Sequence, residues 1–279
     1  MNIKNYKKIT LLITFIFISS CSFVGEWWFE RIDKYIADYF NEYAEFNSYQ
    51  QNKIQEITSS YHSWLSKEEL PKYRALLVEL RDLNKKTTSA DIRNLSLKAE
   101  SLFVSSNNYF HPHVIEFTRD ITTKQADQIY AHFEEVRRKR LDERKNRDPK
   151  ENSTLDSFTK IFKVLKVELN ENQKVKIIEF SKRSGEINQD PNLVKFNQEN
   201  WNKELHQILL DRDKEGFRDK LDLHLKVFNV TRDESELNKE INQLLADLIS
   251  SFDENQRKKY RNRINFFIKS LDKIIFNYV

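Results

Sequence analysis

Four side chains early in the chain have the types that acid–base chemistry needs: His62, Trp64, Glu69 and Tyr73. A histidine and a glutamate can transfer protons to and from a substrate. Pro71 lies among them and favours the first turn of a helix. These residues either line a polar and aromatic pocket or lock one helix against its neighbour, and the sequence leaves both interpretations open.

Two histidines flank a proline in His111-Pro112-His113, and both imidazoles could ligate zinc. Two ligands are too few for a zinc site, and neither a second cysteine nor an H-E-x-x-H sequence accompanies them. We therefore predict no metal site and no cofactor, and we place this segment in an exposed loop or at a helix start.

Glycine is scarce, with three in 279 residues, whereas an average protein has about 7%. Phosphate-binding loops, tight hairpins and nucleophile elbows need glycine where the backbone adopts positive φ. The composition therefore argues against the usual nucleotide-binding, α/β-hydrolase and β-barrel folds. With 39% hydrophobic and 32% charged residues, the chain can still form a packed core.

The first residues have the form of an export signal. Three lysines precede an apolar run over residues 9–18, which is too short to span a bilayer. The sequence Ile18-Ser19-Ser20-Cys21 that follows resembles a bacterial lipobox, whose cysteine is lipid-modified and becomes the new N-terminus. An ordinary signal peptide is the alternative. Because Cys21 is the single cysteine of the chain, we expect lipidation there and removal of residues 1–20 as a lipoprotein signal peptide.

Removal of that signal peptide takes away three lysines and lowers the formal net charge from +4 to +1. In lipoproteins generally, a residue other than aspartate after the cysteine implies export to the outer membrane, and Ser22 occupies this position. We therefore expect an outer-membrane lipid anchor that faces the periplasm. Phe23 and Trp27 follow the anchor and could seat the domain among lipid headgroups, whereas Trp28 is expected to be buried.

Apolar residues recur at helical spacing along nearly the whole chain, which predicts an all-α multi-helix bundle of about ten to twelve helices. One stripe comprises Trp28, Ile32, Tyr35, Tyr39 and Tyr43, and another comprises Tyr260, Ile264, Phe267, Leu271, Ile274 and Tyr278. Breaks between helices are expected near residues 46, 66, 87, 107, 121, 148, 169, 185, 229 and 252.

Four expected helix starts share one pattern: an apolar residue, a capping residue, two variable residues and a glutamine. In the cap, the Asn, Thr or Asp side chain accepts a hydrogen bond from the amide three residues later, and the glutamine reaches back to the capping residue. The residues concerned are Phe46, Asn47 and Gln50; Ile121, Thr122 and Gln125; Leu169, Asn170 and Gln173; and Phe252, Asp253 and Gln256.

The spacing of these starts suggests an internal duplication. Gln125 follows Gln50 by 75 residues, and Gln256 follows Gln173 by 83. We predict two diverged helical halves, an N-terminal half over residues 21–147 and a C-terminal half over residues 169–279. Residues 148–168 form a connecting segment and a helix between them. Coincidence among similar helices is the alternative.

A cluster of arginines follows the second helix start: Arg137, Arg140, Arg144 and Arg147 step by three or four residues and share one helical face. The stretch 257–273 is also strongly basic. The face is either a solvated surface or a binding surface for an anionic partner, such as lipid headgroups or an acidic protein segment. Export makes nucleic acid an unsuitable partner.

Several of these segments resemble an uncharacterised family of gammaproteobacterial lipoproteins. The likeness rests on the aromatic residues 32–43, the start at Phe46–Gln50, the Glu69-Leu70-Pro71-Lys72-Tyr73 segment and the start at Leu169–Gln173. His62 and Trp64 are not adjacent, and Gln198 stands where that family is expected to have arginine. The helix starts are also similar to the L-T-x-x-Q motifs of periplasmic chaperones of the Spy and CpxP type, which bind partly unfolded proteins.

Three functions follow as expectations. The first is an envelope lipoprotein that binds another envelope protein or an unfolded client, in the manner of a chaperone. The second is a structural protein that contacts anionic membrane through its basic helices. The third is an enzyme acting on cell-wall or lipid substrates. The sequence contains no glycine-rich loop, catalytic triad or metal-ligand cluster to support it, so we expect the protein not to be an enzyme.

Overall fold

The computed structural model describes residues 27–146, 153–187, 197–227 and 235–278. Within these ranges the chain forms eleven α-helices and no strand, which confirms the all-α multi-helix bundle. The helices are α1 (Ile32–Asn41), α2 (Ser48–Trp64), α3 (Leu70–Asp82), α4 (Ser89–Phe117), α5 (Thr123–Lys145), α6 (Ser153–Val164), α7 (Glu171–Ile187), α8 (Gln198–Leu210), α9 (Phe217–Lys226), α10 (Glu236–Ser250) and α11 (Glu254–Tyr278). No described helix is both long and apolar enough to cross a membrane.

Most expected breaks coincide with helix ends, but the break expected near Asn107 is wrong. Asn107 lies inside the 29-residue helix α4, because the polar residues before it face other helices. Ser105 bonds Glu69, and Ser106 accepts a hydrogen bond from Tyr61. At Ser66 the helix does not end but widens into a π-helical turn, Leu65–Glu69, before α3 begins.

The helices enclose two hydrophobic cores. The larger core is built from α3, the first half of α4, α6, α7, α10 and α11; the smaller core is built from α1, the start of α2, the end of α4, α5, α8 and α9. Each core therefore contains helices from both sides of the connecting segment 148–168. The proposed duplication into two halves therefore stays a prediction. The two hydrophobic cores do not correspond to these halves.

The two apolar stripes differ in outcome. The stripe on α11 faces the larger core, where Tyr260 and Ile264 are fully buried, as expected. The stripe on α1 is divided: Ile32 and Tyr43 pack against the cores, whereas Tyr35 and Tyr39 are 38% and 54% exposed. Ala37 is the buried residue of the helix. Because α1 carries apolar side chains on two neighbouring faces, its periodicity alone does not decide which face is buried.

Candidate functional site

The lipidation site and part of the basic face lie outside the described residues. Cys21 and Phe23 precede residue 27, and Arg147 lies in the gap after residue 146. Lipidation of Cys21 and seating of the domain by Phe23 therefore stay predictions.

The four glutamine-bearing helix starts form the caps that the sequence predicts. In each, the capping side chain accepts a hydrogen bond from the backbone amide of the glutamine, at 2.8 to 3.2 Å. In each, the glutamine Oε1 accepts one from the backbone amide of the capping residue, at 2.9 to 3.1 Å. The apolar residue before each cap is buried: Phe46, Ile121, Leu169 and Phe252. These contacts confirm the four capping boxes.

The glutamines of the first two starts also bond to each other. Gln50 Nε2 donates to Gln125 Oε1 at 3.1 Å, and Gln125 Nε2 donates to Gln50 Oε1 at 2.7 Å. Each Nε2 uses its second hydrogen on a backbone carbonyl before the other cap: Gln50 on Asp120 and Gln125 on Glu45, both at 3.0 Å. We call this arrangement the first joint; it fastens the start of α2 to the start of α5.

The other two starts repeat the arrangement as a second joint, between α7 and α11. Gln173 and Gln256 exchange hydrogen bonds of 3.2 and 3.0 Å, and both side chains are buried. Gln256 Nε2 donates to the Glu168 carbonyl, as in the first joint. Gln173 Nε2 instead donates to the Ser251 hydroxyl at 3.0 Å, and that hydroxyl donates to the Leu248 carbonyl.

The joints are structural rather than catalytic. Each amide donates two hydrogen bonds and its oxygen accepts two, which satisfies the full capacity of a glutamine side chain. A buried amide that loses a partner costs about 1–3 kcal/mol, so each joint resists any shift of one helix start against the other. Sequence reasoning missed the pairing, although the glutamines at one position of each start were a signal for it.

The residues proposed to form a pocket separate into two places. Glu69 and Tyr73 lie about one helical turn apart, and burial raises the pKa of Tyr73, with further contributions from Tyr61 and Glu69. Glu69 is fully buried at the end of the π turn, where Oε1 accepts from Lys72 at 2.6 Å and from Ser105 at 3.1 Å. Trp64 packs nearby against Tyr109, with 4.9 Å between ring centroids.

His62 faces away from this group. Its ring lies between Phe29 and Tyr278, at 4.8 and 5.0 Å, and burial lowers its pKa. The expectation that His62 lines one pocket with Glu69 is therefore wrong, because His62 packs toward Phe29 and Tyr278, whereas Glu69, beyond the π turn, packs toward Ser105 of α4. The polar cluster around Glu69 ties α3 to α4, which agrees with the locking interpretation.

The histidines beside Pro112 lie in the last turns of α4, so their placement in a loop or at a helix start is wrong. His111 Nε2 lies 2.9 Å from Asp222 Oδ1 of α9, and the ring of His113 packs beside Tyr109. Across the residues that the structure describes, no three metal-binding side chains cluster closely enough to hold an ion.

The arginine face of α5 is partly engaged inside the bundle. Arg137 pairs with Glu134 at 2.7 Å and with Glu199 of α8 at 3.4 Å, and this pairing lowers the pKa of Glu134. Asn202 of α8 also donates to Glu134, at 2.8 Å. Arg140 is exposed. The contacts of Arg137 hold α5 to α8, so this arginine is not a simple solvated charge.

Four aromatic residues of this stripe form an aromatic ridge along α1 and its flanking turns, which we define as Trp28, Tyr35, Tyr39 and Tyr43. Trp28, which was expected to be buried, is half-buried. Trp28 and Tyr35 stack with 6.0 Å between centroids, and Tyr43 donates a hydrogen bond of 2.8 Å to the Tyr39 hydroxyl. Tyr43 is half-buried, and burial together with this bond raises its pKa. The rings of Tyr35 and Tyr39 are therefore held in place by neighbouring aromatic residues although they are exposed to solvent.

The protein is an all-α bundle in which two buried pairs of glutamines, the first and second joints, connect four of the helix starts. The sequence profile described as "Family of unknown function (DUF6279)" matches residues 42–230, and the chain belongs to this family. The match contains the first joint and ends before α10 and α11. No curated protein and no solved structure matches the chain significantly.

Proposed function

We propose that this protein is an outer-membrane lipoprotein, anchored through Cys21 and facing the periplasm, whose helical body binds another envelope protein. The anchor is supported by the lysines, the apolar run and the single cysteine at the expected processing position. The binding activity is supported chiefly by the aromatic ridge on α1.

The ridge has the properties of a protein-binding surface. Tyrosine and tryptophan are enriched at protein interfaces, where they contribute large contact areas. The stacking and hydrogen bond of the ridge restrain its rings, so a partner loses little free energy in ordering them. Three exposed carboxylates, Glu30, Asp38 and Glu42, lie on the same stretch of chain. We infer that the partner presents apolar side chains beside basic ones.

The anchor is tested by the change Cys21→Ser. No other residue can supply the thioether, so we expect the variant to take up no alkyne-tagged fatty acid in growing cells, whereas the wild type is labelled. Equal labelling of the two proteins would refute the anchor.

The binding surface is tested through its chaperone-like form, with reduced α-lactalbumin as the unfolding client. We expect the Cys21→Ser protein to slow client light scattering at a near-stoichiometric dose. The added changes Tyr35→Ser and Tyr39→Ser should remove that effect. The matched control is Leu223→Ser, which changes a side chain 74% exposed on α9. A protein that leaves light scattering unchanged, or a ridge variant as active as the control, would count against the ridge.

A second function, contact with anionic membrane, is favoured by one observation on α11. Lys258, Lys259 and Arg261 are exposed and lie within one turn of α11, with no acidic residue between them. Changing these three residues to Gln should reduce sedimentation of the unlipidated protein with anionic liposomes, and high salt should reduce it further. Changing Arg137, Arg140, Arg144 and Arg147 to Gln tests the α5 face in the same assay. Absence of wild-type sedimentation at low salt would exclude this function.

A further inference from the structure

Two large apolar side chains are strongly exposed near the two ends of the described chain. Phe276, in the last turn of α11, is 85% exposed, the highest value among the large hydrophobic residues that the structure describes. Trp27, the first described residue, is 46% exposed. Burying one such aromatic side chain is worth about 1.5–3 kcal/mol, so their exposure needs an explanation.

Both residues lie where the chain enters α1 and α11 ends, beside His62 near the C-terminus of α2. Phe29, two residues after Trp27, packs edge-on against Tyr278, two residues after Phe276, with 5.6 Å between centroids. Tyr278 also lies within the electrostatic reach of Glu30 and Asp33. The last turn of α11 therefore contacts the residues through which the chain enters α1.

The proposed anchor lies a short stretch of chain before this place. Cys21 lies six residues before Trp27, and six residues extend to at most about 21 Å. A lipid on Cys21 would hold Trp27 within about 21 Å of the lipid headgroups, and the last turn of α11 contacts the same segment through Phe29 and Tyr278.

The side chains beside the two aromatic residues suit a headgroup layer. The Arg31 guanidinium lies 4.5 Å from the centre of the Trp27 ring. Phe276 borders a shallow depression that Asp272, Lys273 and Asn277 also line. Trp and Phe favour the boundary between headgroups and acyl chains, and basic and amide groups bond lipid phosphates there.

We infer that Trp27 and Phe276 form a membrane seat, which inserts into the interfacial layer of the bilayer that carries the anchor. This inference rests on the proposed lipid anchor at Cys21. Lipid chains already supply stable attachment, so the seat serves to fix orientation.

The seat is tested with a fluorescent label on the full lipidated protein. Lipidation occupies the thiol of Cys21, so the change Phe276→Cys introduces a single free thiol, which we label with the environment-sensitive dye NBD. The matched control is Val175→Cys, a site 49% exposed near Gln173 in the second joint. It lies about 30 Å from the seat along α11, since 20 residues separate Gln256 from Phe276.

The labelled proteins are reconstituted into phosphatidylethanolamine–phosphatidylglycerol vesicles, with or without brominated acyl chains. We expect a blue shift and quenching by bromine at residue 276 and neither at residue 175. Equal quenching at the two sites would refute the seat, as would a blue shift at residue 276 without quenching, which would indicate contact with protein.

Flotation of the vesicles separates the two proposals. A protein that floats with the vesicles but is not quenched at residue 276 keeps the anchor and refutes the seat. A protein that does not float refutes the anchor and the seat together. Melting curves that match the wild type establish that both labelled variants are folded.

Discussion

The first and second joints hold two helix starts together in the same way, but they differ in one hydrogen-bond acceptor. Both pair two capping glutamines across helix starts and bury them. In the first joint both outer hydrogen bonds end on backbone carbonyls, those of Asp120 and Glu45. In the second joint one of them ends on the Ser251 hydroxyl. A backbone acceptor survives any substitution, whereas a hydroxyl does not, so the second joint depends on the identity of one more residue.

The joints also fasten different parts of the molecule. The apolar residues of the first joint, Phe46 and Ile121, belong to the smaller core, and those of the second, Leu169 and Phe252, belong to the larger core. Each core therefore contains one joint. Loosening a joint should destabilise its own core first, and this allows the two regions to be probed separately.

The largest effect is expected from a charge placed inside either joint. Gln125→Glu or Gln256→Glu puts a carboxylate oxygen against two acceptors, and we expect a loss of roughly 3 kcal/mol in the free energy of unfolding. The loss should shrink at acidic pH, because a protonated carboxyl regains one donor. Denaturant titration measures both, with Asn52→Asp, an exposed change on α2, as the control. A loss below that of the control would show that the joints contribute nothing to stability.

A smaller and asymmetric effect distinguishes the joints. Ser251→Ala removes the acceptor of Gln173 Nε2 and should cost about 1–2 kcal/mol. The equivalent change in the first joint, Asp120→Ala, leaves the backbone acceptor in place and removes only an exposed ion pair with Lys53, so we expect about 0.5 kcal/mol or less. The urea midpoints of unfolding measure both losses. Equal shifts for the two variants would contradict the proposed difference between the joints.

The capping residues should have similar effects in both joints. Asn47→Ala and Asn170→Ala each remove one side-chain acceptor and should cost about 1 kcal/mol. Asn172→Ala, an exposed change in the same turn as Asn170, serves as the control. If the midpoints do not move relative to this control, the capping contacts are not stabilising.

The smallest effect concerns pH and compares the two cores. Burial lowers the pKa of His62, beside the larger core, and of His224, beside the smaller core, below the ordinary value of 6.5. Below about pH 6.5 the unfolded chain then binds more protons than the folded one, so stability falls as pH drops from 7 to 5. The bond of His224 to the Trp201 carbonyl and the charge of Glu204 oppose its shift.

The change His62→Phe retains an aromatic ring between Phe29 and Tyr278 and should flatten this part of the pH profile. His224→Phe should flatten it less. Thermal melts at pH 7, 6 and 5 provide the measurement, and parallel profiles for the wild type and both variants would exclude a contribution from these histidines.

The sequence determined the features that depend on neighbours within a few residues. Helical periodicity and the scarcity of glycine indicated the all-α class, because both follow from local backbone preferences. The four capping boxes could be predicted for the same reason, since a cap involves residues three positions apart. The stripe on α11 was assigned to the core correctly because that helix has one clear apolar face.

Only the tertiary structure decided which local elements meet. The pairing of Gln50 with Gln125 depends on the placement of α2 and α5, and no local rule specifies it. The burial of Ala37 rather than Tyr35 depends on which face of α1 the smaller core covers. The same holds for His62, which α2 turns toward Tyr278 and away from Glu69. Contacts between distant residues require the chain to close long loops, and the geometry that closes them is a property of the whole packed bundle.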